Sequence, residues 1–250
     1  EERPGAIALA AGYREEIAAI AAIVTPEWYA RWTPAPPPPE RRAPAFLVGF
    51  PRSGTTLLDT LLMGHPETHV LEEVPLLDRV MRQIGDFARI AELSPAEIED
   101  LRRVYFAALD ETPPPESATL VVVKLPLNML GAPLIHRLFP DAPIILALRH
   151  PCDVAISCFI QDFELNKAMA NFLDLDSTAS LYDLVFGLWT RSRALMPLRV
   201  FDVRYEKLVG DPEPVMRGLV DFLGLEWSDK VLDHQRTAAE RGTISTPSYN

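Results

Sequence analysis

Four short, mostly apolar runs separated by stretches of helical periodicity constrain this chain more than any other feature. They are Ala45–Phe50, Leu120–Lys124, Ile144–Arg149 and Arg199–Arg204. Between and after them, Thr55–Met63, Leu76–Ile90, Pro95–Leu109, Ala132–Phe139, Asp153–Phe163, Ser180–Met196 and Pro212–Phe222 read as helices. Short apolar strands that alternate with helices build a parallel sheet covered on both faces. The expected fold is therefore α/β, three layers deep (α/β/α), around a central parallel sheet. Ligands of such sheets sit at the carboxyl ends of the strands, so those ends are where chemistry is sought.

The segment before this pattern has another character. Ile17, Ile20 and Ile23 recur at helical spacing within Gly12–Val24. From Thr33 onward, and above all through Pro36 to Pro39, the chain can be neither helix nor central strand. Such a run favours an extended connection. The expected division is an N-terminal helix and proline-rich linker over 1–43, the end of an upstream helical region, and one catalytic-sized domain over 44–250. The chain opens Glu1-Glu2-Arg3 without a Met and is read as a segment of a longer protein.

Composition narrows the partners. A hydrophobic share of 48% excludes disorder of the whole chain. A net charge of -11 argues against a nucleic-acid partner, while leaving room for a local cationic pocket. No apolar stretch approaches the roughly 20 residues of a membrane-spanning helix. Cys152 and Cys158 fall near the start of one expected helix, where six residues rise about 9 Å. They are read as reduced thiols, as in a cytoplasmic protein. His65, His69, His136, His150 and His234 do not cluster with the cysteines in any ligand-like spacing, so no metal is expected.

The first strand runs into Gly49-Phe50-Pro51-Arg52-Ser53-Gly54-Thr55-Thr56. The glycine spacing is that of a phosphate loop, with Thr55 where the lysine belongs. A loop leading into a helix N-terminus aims several free N–H groups at one anion, and the helix dipole adds to their pull. The missing lysine speaks against nucleoside triphosphate chemistry. Arg52 is the cation inside the loop. Asp202 lies within its strand rather than at the end, where a Mg²⁺-holding carboxylate would be needed.

The segment from Phe46 to Leu58 resembles the 5′-phosphosulfate loop of sulfotransferases that use 3′-phosphoadenosine 5′-phosphosulfate (PAPS). The similarity is greatest to the branch containing tyrosylprotein sulfotransferases and bacterial relatives fused to helical repeats. It runs from about Ala45 to the end of the chain. It implies a P-loop-like fold and a cofactor site of Arg52, Ser53, Gly54, Thr55 and Thr56. A second block, Leu148-Arg149-His150-Pro151-Cys152-Asp153-Val154-Ala155-Ile156-Ser157, is similar to the family's 3′-phosphate motif and implies that role for Arg149 and Ser157. Arginine's planar fork and a serine hydroxyl suit a phosphate. Tyr205, in Val203–Pro212, corresponds to a cofactor-contacting tyrosine. Ser248 matches a serine near the transferred group, in a covering loop that the end of the chain truncates.

Sulfuryl transfer needs a base for the acceptor hydroxyl and cations for the oxygens and the leaving phosphate. Small-molecule sulfotransferases place a histidine just after the strand lysine; here Lys124 is followed by Leu125-Pro126. The protein-sulfating branch uses a glutamate after the first helix. Glu73 falls at that spacing from Arg52, with Glu72 as the second candidate. Adjacent carboxylates on an extended segment point to opposite sides, so only one is expected to face the site. The resemblance gives Lys124 and Arg52 the charge-stabilising roles. The product would be adenosine 3′,5′-bisphosphate. The acceptor is a hydroxyl on a peptide tyrosine, a glycan or a small molecule. A basic rim for acidic peptides could come from Arg79, Arg82, Arg102 and Arg103, which otherwise read as exposed helix faces. Two other readings compete: a P-loop kinase-like phosphotransferase, disfavoured by Thr55 and the absent Mg²⁺ carboxylate, and an inactive nucleotide-binding module, disfavoured by the presence of Lys124 and a base.

Overall fold

The computed structural model describes residues 3–34, 36 and 40–241. Five strands, β1 (Ala45–Gly49), β2 (Thr68–Glu72), β3 (Leu120–Lys124), β4 (Ile144–Leu148) and β5 (Val200–Arg204), form one sheet in the order β2-β3-β1-β4-β5. Every pairing is parallel. The helices are α1 (Arg3–Ile23), α2 (Pro26–Ala30), α3 (Thr55–Met63), α4 (Leu76–Ile84), α5 (Pro95–Leu109), α6 (Ala132–Leu138), α7 (Pro151–Ile160), α8 (Leu175–Leu195), α9 (Tyr205–Gly210), α10 (Pro212–Phe222) and α11 (His234–Arg241).

The period-two alternation of the strands divides the core. Phe46 and Val48 of β1 and Ile144 and Leu146 of β4 pack on the side of α4, α5, α6 and α8. Ala45, Leu47, Ile145 and Ala147 face the other way, onto α3 and α10. Each fully buried aliphatic side chain contributes about 1.5–3 kcal/mol, which is why both layers close over the sheet. Lys124 shares the parity of Leu120 and Val122, so its stem runs along the face that α3 covers.

The expected parallel sheet and its helical cover are present, with local departures. Strand β2 has no counterpart among the four expected runs. Only Val70 and Leu71 in it are apolar, and it becomes a strand by pairing with β3 from Thr68↔Leu120 to Glu72↔Lys124. The single helix expected over Leu76–Ile90 is broken at Gly85, whose φ of +82° ends α4. Asp86 then caps a separate 3-10 turn, Phe87–Glu92, by accepting from the Ala88 N–H. Helix α1 begins well before Gly12 and lies against α8 and the Met169–Leu173 turn, with Tyr13 and Ile17 in the larger core layer.

Candidate functional site

The carboxyl ends of all five strands meet along one edge. Across the sheet they present Glu72 and Glu73 (β2), Lys124 (β3), the loop after β1, Arg149 (β4) and Tyr205 (β5). The order in which strands are added reverses about β1, the first strand in sequence, which sits in the middle of the sheet. The loop after it therefore lies between β3 and β4, at the topological switch point.

That loop is tightly wound. Arg52 and Gly54 both take left-handed conformations, with φ of +69° and +97°. Left-handed backbone at a non-glycine such as Arg52 costs energy that the surroundings must offset. The Ser53 N–H donates to the Phe50 carbonyl at 3.1 Å. Thr55 and Thr56 then open α3, so the positive end of the helix dipole lies at the loop. The Ser53 side chain is buried and its Oγ has no hydrogen-bond partner among the described residues. Gly54 is required twice: by its φ, and because a Cβ there would lie 2.5 Å from Tyr205 Cδ2. At Gly49 a Cβ would lie 2.6 Å from Ser53 Oγ and 2.8 Å from the Ala147 carbonyl of β4. Backbone cannot retreat as a side chain can. Gly49→Ala is therefore expected to destabilise the fold by about 1–3 kcal/mol. In thermal unfolding each kcal/mol lowers Tm by about 2–4 °C; an unchanged Tm would show that β1 and β4 can part without cost.

Two guanidiniums converge on the loop. Arg52 Nε donates to Ser157 Oγ on α7 at 3.0 Å. Arg149 Nη1 donates to the Arg52 carbonyl at 3.3 Å, and its guanidinium lies 4.6 Å from the centre of the Tyr205 ring. Arg149 Nε is buried without a hydrogen-bond partner among the described residues. Burial draws the Arg52 pKa below its ordinary value, and the neighbouring Arg149 charge acts in the same direction. The nearby Cys158 thiol is pushed up to about 12, chiefly by burial, and its Sγ donates to the Pro51 carbonyl at 3.4 Å. It is a packed thiol, not a nucleophile.

On the other side of β1, Lys124 is the hub. Its side chain is 1% exposed, and its Nζ lies 3.1 Å from Glu73 Oε1, 3.3 Å from Asp59 Oδ2 and 3.6 Å from Glu72 Oε2. The expectation that the adjacent glutamate carboxylates point to opposite sides is corrected here. Glu73 leaves the strand with φ +53°, its N–H donating to the Lys124 carbonyl at 2.8 Å. Strict alternation ends at that residue, so both carboxylates reach the same ammonium. Their surroundings differ: Glu73 is 44% exposed and lines a cleft with Arg52, Thr55 and Thr56, whereas Glu72 is 17% exposed and does not line it. Asp59, fully buried on α3, has no place in the sequence reading. Its only signal there is a lone charged residue in a helix of threonines, leucines and a methionine.

The basic rim does not assemble. Arg102, read as an exposed helix residue, is 1% exposed and donates to the Leu138 carbonyl and to Glu99, each at 2.6 Å. Arg79 pairs with Glu111 and Arg103 with Asp100. Neither these three nor Arg82 lines the cleft. Asp202 sits in the middle of β5 and pairs with Arg193 at 2.8 Å. Ser248 lies outside the described residues.

Such a fold and site define the class: a parallel α/β protein with a phosphate-loop-like turn at the carboxyl edge of its sheet. Residues 44–229 match the Sulfotransferase family, and the chain belongs to that family. Among curated relatives, an uncharacterised protein of Aquifex aeolicus is 30% identical over 83% of this chain and 28% of its own length. Protein-tyrosine sulfotransferase 2 of Gallus gallus is 28% identical over 80% of this chain and 56% of its own length. The chain thus spans less than two thirds of either relative. Two solved structures share the fold. The sulfotransferase domain of the Synechococcus PCC 7002 olefin synthase has a TM-score of 0.53, 24% identity and coverage of 81% of this chain and 80% of its own. A Mycobacterium avium sulfotransferase has a TM-score of 0.54, 18% identity and coverage of 83% and 70%.

Proposed function

We propose that this chain is the catalytic domain of an enzyme that transfers a sulfuryl group from PAPS to a hydroxyl acceptor. The observation that carries the reading is the meeting, at one loop, of a two-arginine anion site and a buried lysine in contact with a cleft-facing glutamate. The donor fits the residues present. Ser53 Oγ and Arg149 Nε are buried polar atoms without hydrogen-bond partners among the described residues, as a site that awaits an anion would leave them. When bound, PAPS supplies an electrophilic sulfur: the acceptor oxygen bonds to it while its bond to the 5′-phosphate oxygen breaks and leaves the electron pair on that phosphate.

The residues divide the remaining work. Arg52, Ser53 and the N–H groups at Thr55 and Thr56 bind the 5′ end. Arg149 and Ser157 bind the 3′-phosphate, and Tyr205 fixes Arg149 from beneath. Lys124, with Arg52, offsets negative charge on the leaving phosphate. Glu73 takes the acceptor proton. In this proposal Ser248 takes the role that the resemblance implies, the catalytic domain begins at residue 44, and the setting is cytoplasmic. The free thiols of Cys152 and Cys158 support that setting. The protein-tyrosine sulfotransferases among the relatives support a phenolic hydroxyl as acceptor. The position of Asp202, away from the strand end, weighs against the kinase-like reading.

Adenosine 3′,5′-bisphosphate at about 100 times its Kd should add about 2.7 kcal/mol of stability. At about 2–4 °C per kcal/mol this is a Tm rise readable by scanning calorimetry. ATP with Mg²⁺ should give far less, and Arg149→Ala should remove most of the bisphosphate shift. Equal shifts for the two nucleotides would sink the donor assignment.

A further inference from the structure

The cleft beside Glu73 has a volume of about 580 Å³, within the range of small-molecule sites. Its inner wall is apolar, built from Leu125, Pro126, Leu127, Phe163 and Met169. Its rim is anionic. Asp78 on α4 and Glu164 in the segment after α7 both line the cleft, both are exposed, and neither forms an ion pair among the described residues. The one lysine on the rim, Lys167, is already paired with Glu16 of α1 and lies 5.3 Å from the Tyr13 ring centre. Arg52 belongs to the donor loop.

Helix α1, which precedes the residues that match the family, closes one wall through Tyr13. Burial pushes the pKa of that phenol up to about 12, and the negative charges of Glu16 and Asp78 act in the same direction. A bound donor adds further negative charge next to the same cleft. An acidic acceptor would meet carboxylates on the rim with, among the described lining residues outside the donor loop, no unpaired cation to receive it, and like charges at an interface are strongly disfavoured.

We infer that the cleft selects a hydroxyl acceptor with an apolar body and neutral or cationic flanks, and that Asp78 and Glu164 are the residues that exclude acidic acceptors. This rests on the sulfotransferase reading above. Within it, the inference separates this chain's acceptor preference from any preference for acidic peptides. The cost falls on binding, because the rim carboxylates are not among the groups that touch the reacting atoms.

The test uses three tyrosine peptides that differ only in their flanks (Glu, Gln or Lys) and one neutral 4-alkylphenol. Transfer is read from labelled PAPS, and binding to the bisphosphate complex by calorimetry. The Gln and Lys peptides and the phenol should exceed the Glu peptide in kcat/KM by about tenfold or more, expressed mainly in KM, with the same rank in binding. In the Asp78→Asn/Glu164→Gln variant the disadvantage of the Glu peptide should shrink by roughly threefold per carboxylate, while bisphosphate affinity stays unchanged. A Glu peptide that is the best acceptor, or a ratio indifferent to the double substitution, overturns the inference. So does failure of the neutral and Lys-flanked acceptors to bind or react while the bisphosphate still raises Tm; that outcome leaves the donor assignment standing. Absence of any bisphosphate shift instead removes the sulfotransferase reading on which the inference rests.

Discussion

Glu73→Gln should lower the rate of sulfuryl transfer by about 10²–10⁴-fold, the usual contribution of a positioned general base. The bisphosphate Kd should stay within about twofold, because the substitution keeps the side-chain shape and lies across β1 from Arg149 and Ser157. Stability should change little, since Glu73 is 44% exposed and its contact with Lys124 is partly screened by water. Single-turnover release of bisphosphate from labelled PAPS, alongside calorimetric binding, separates the two effects. Unchanged turnover would move the base to Glu72, which also reaches Lys124, at 3.6 Å, and Glu72→Gln would then show the loss.

Lys124→Met should unfold more easily and transfer no sulfuryl group at a measurable rate. Lys124 is 1% exposed and neutralises Asp59, which is fully buried. Removing one partner of a buried ion pair typically costs about 3–5 kcal/mol, because the other charge stays behind in a poorly solvating site. At about 2–4 °C per kcal/mol the Tm falls by roughly 10 °C. The double variant Lys124→Met/Asp59→Leu distinguishes stability from chemistry. An apolar pair in the same space should recover most of the lost Tm, and transfer should remain lost. Recovery of transfer in that variant would show that Lys124 serves the fold and not the reaction.

Much of the site was legible because its residues stand at junctions. Arg52 to Thr56 and Arg149 each follow an apolar run directly and precede a helix, so local pattern places them at the ends of strands. Ser157 is singled out only by the resemblance to the family's 3′-phosphate motif; its hydroxyl accepts from Arg52. Other features had no local signal. Asp59 and Lys124 are distant in sequence and meet because α3 lies over β3 on one face. The orientation of Glu72 and Glu73 was misjudged because the left-handed φ of Glu73 accompanies a hydrogen bond to the Lys124 carbonyl, in a residue type that gives no hint of it. Strand β2 was missed because a five-residue edge strand with two apolar residues has too little periodicity to stand out. Tyr13 and Asp78 reach the cleft through the docking of α1 and α4, which no motif records.

Sequence alone determined the inventory: a parallel α/β architecture, a glycine loop with threonine in place of lysine, and arginine, lysine and glutamate at the points where strands give way to helices or loops. Those features are local, set by hydrophobic period, by glycine at left-handed positions and by charge at the end of an apolar run. Only the tertiary structure decided who stands beside whom. The order β2-β3-β1-β4-β5 puts Glu73 and Lys124 on one side of the loop and Arg149 and Tyr205 on the other. The same packing laid α1 along a cleft whose rim is anionic. Strand order and helix docking follow from which long-range burial is most favourable for the whole chain, and that quantity is not written in any single stretch of it.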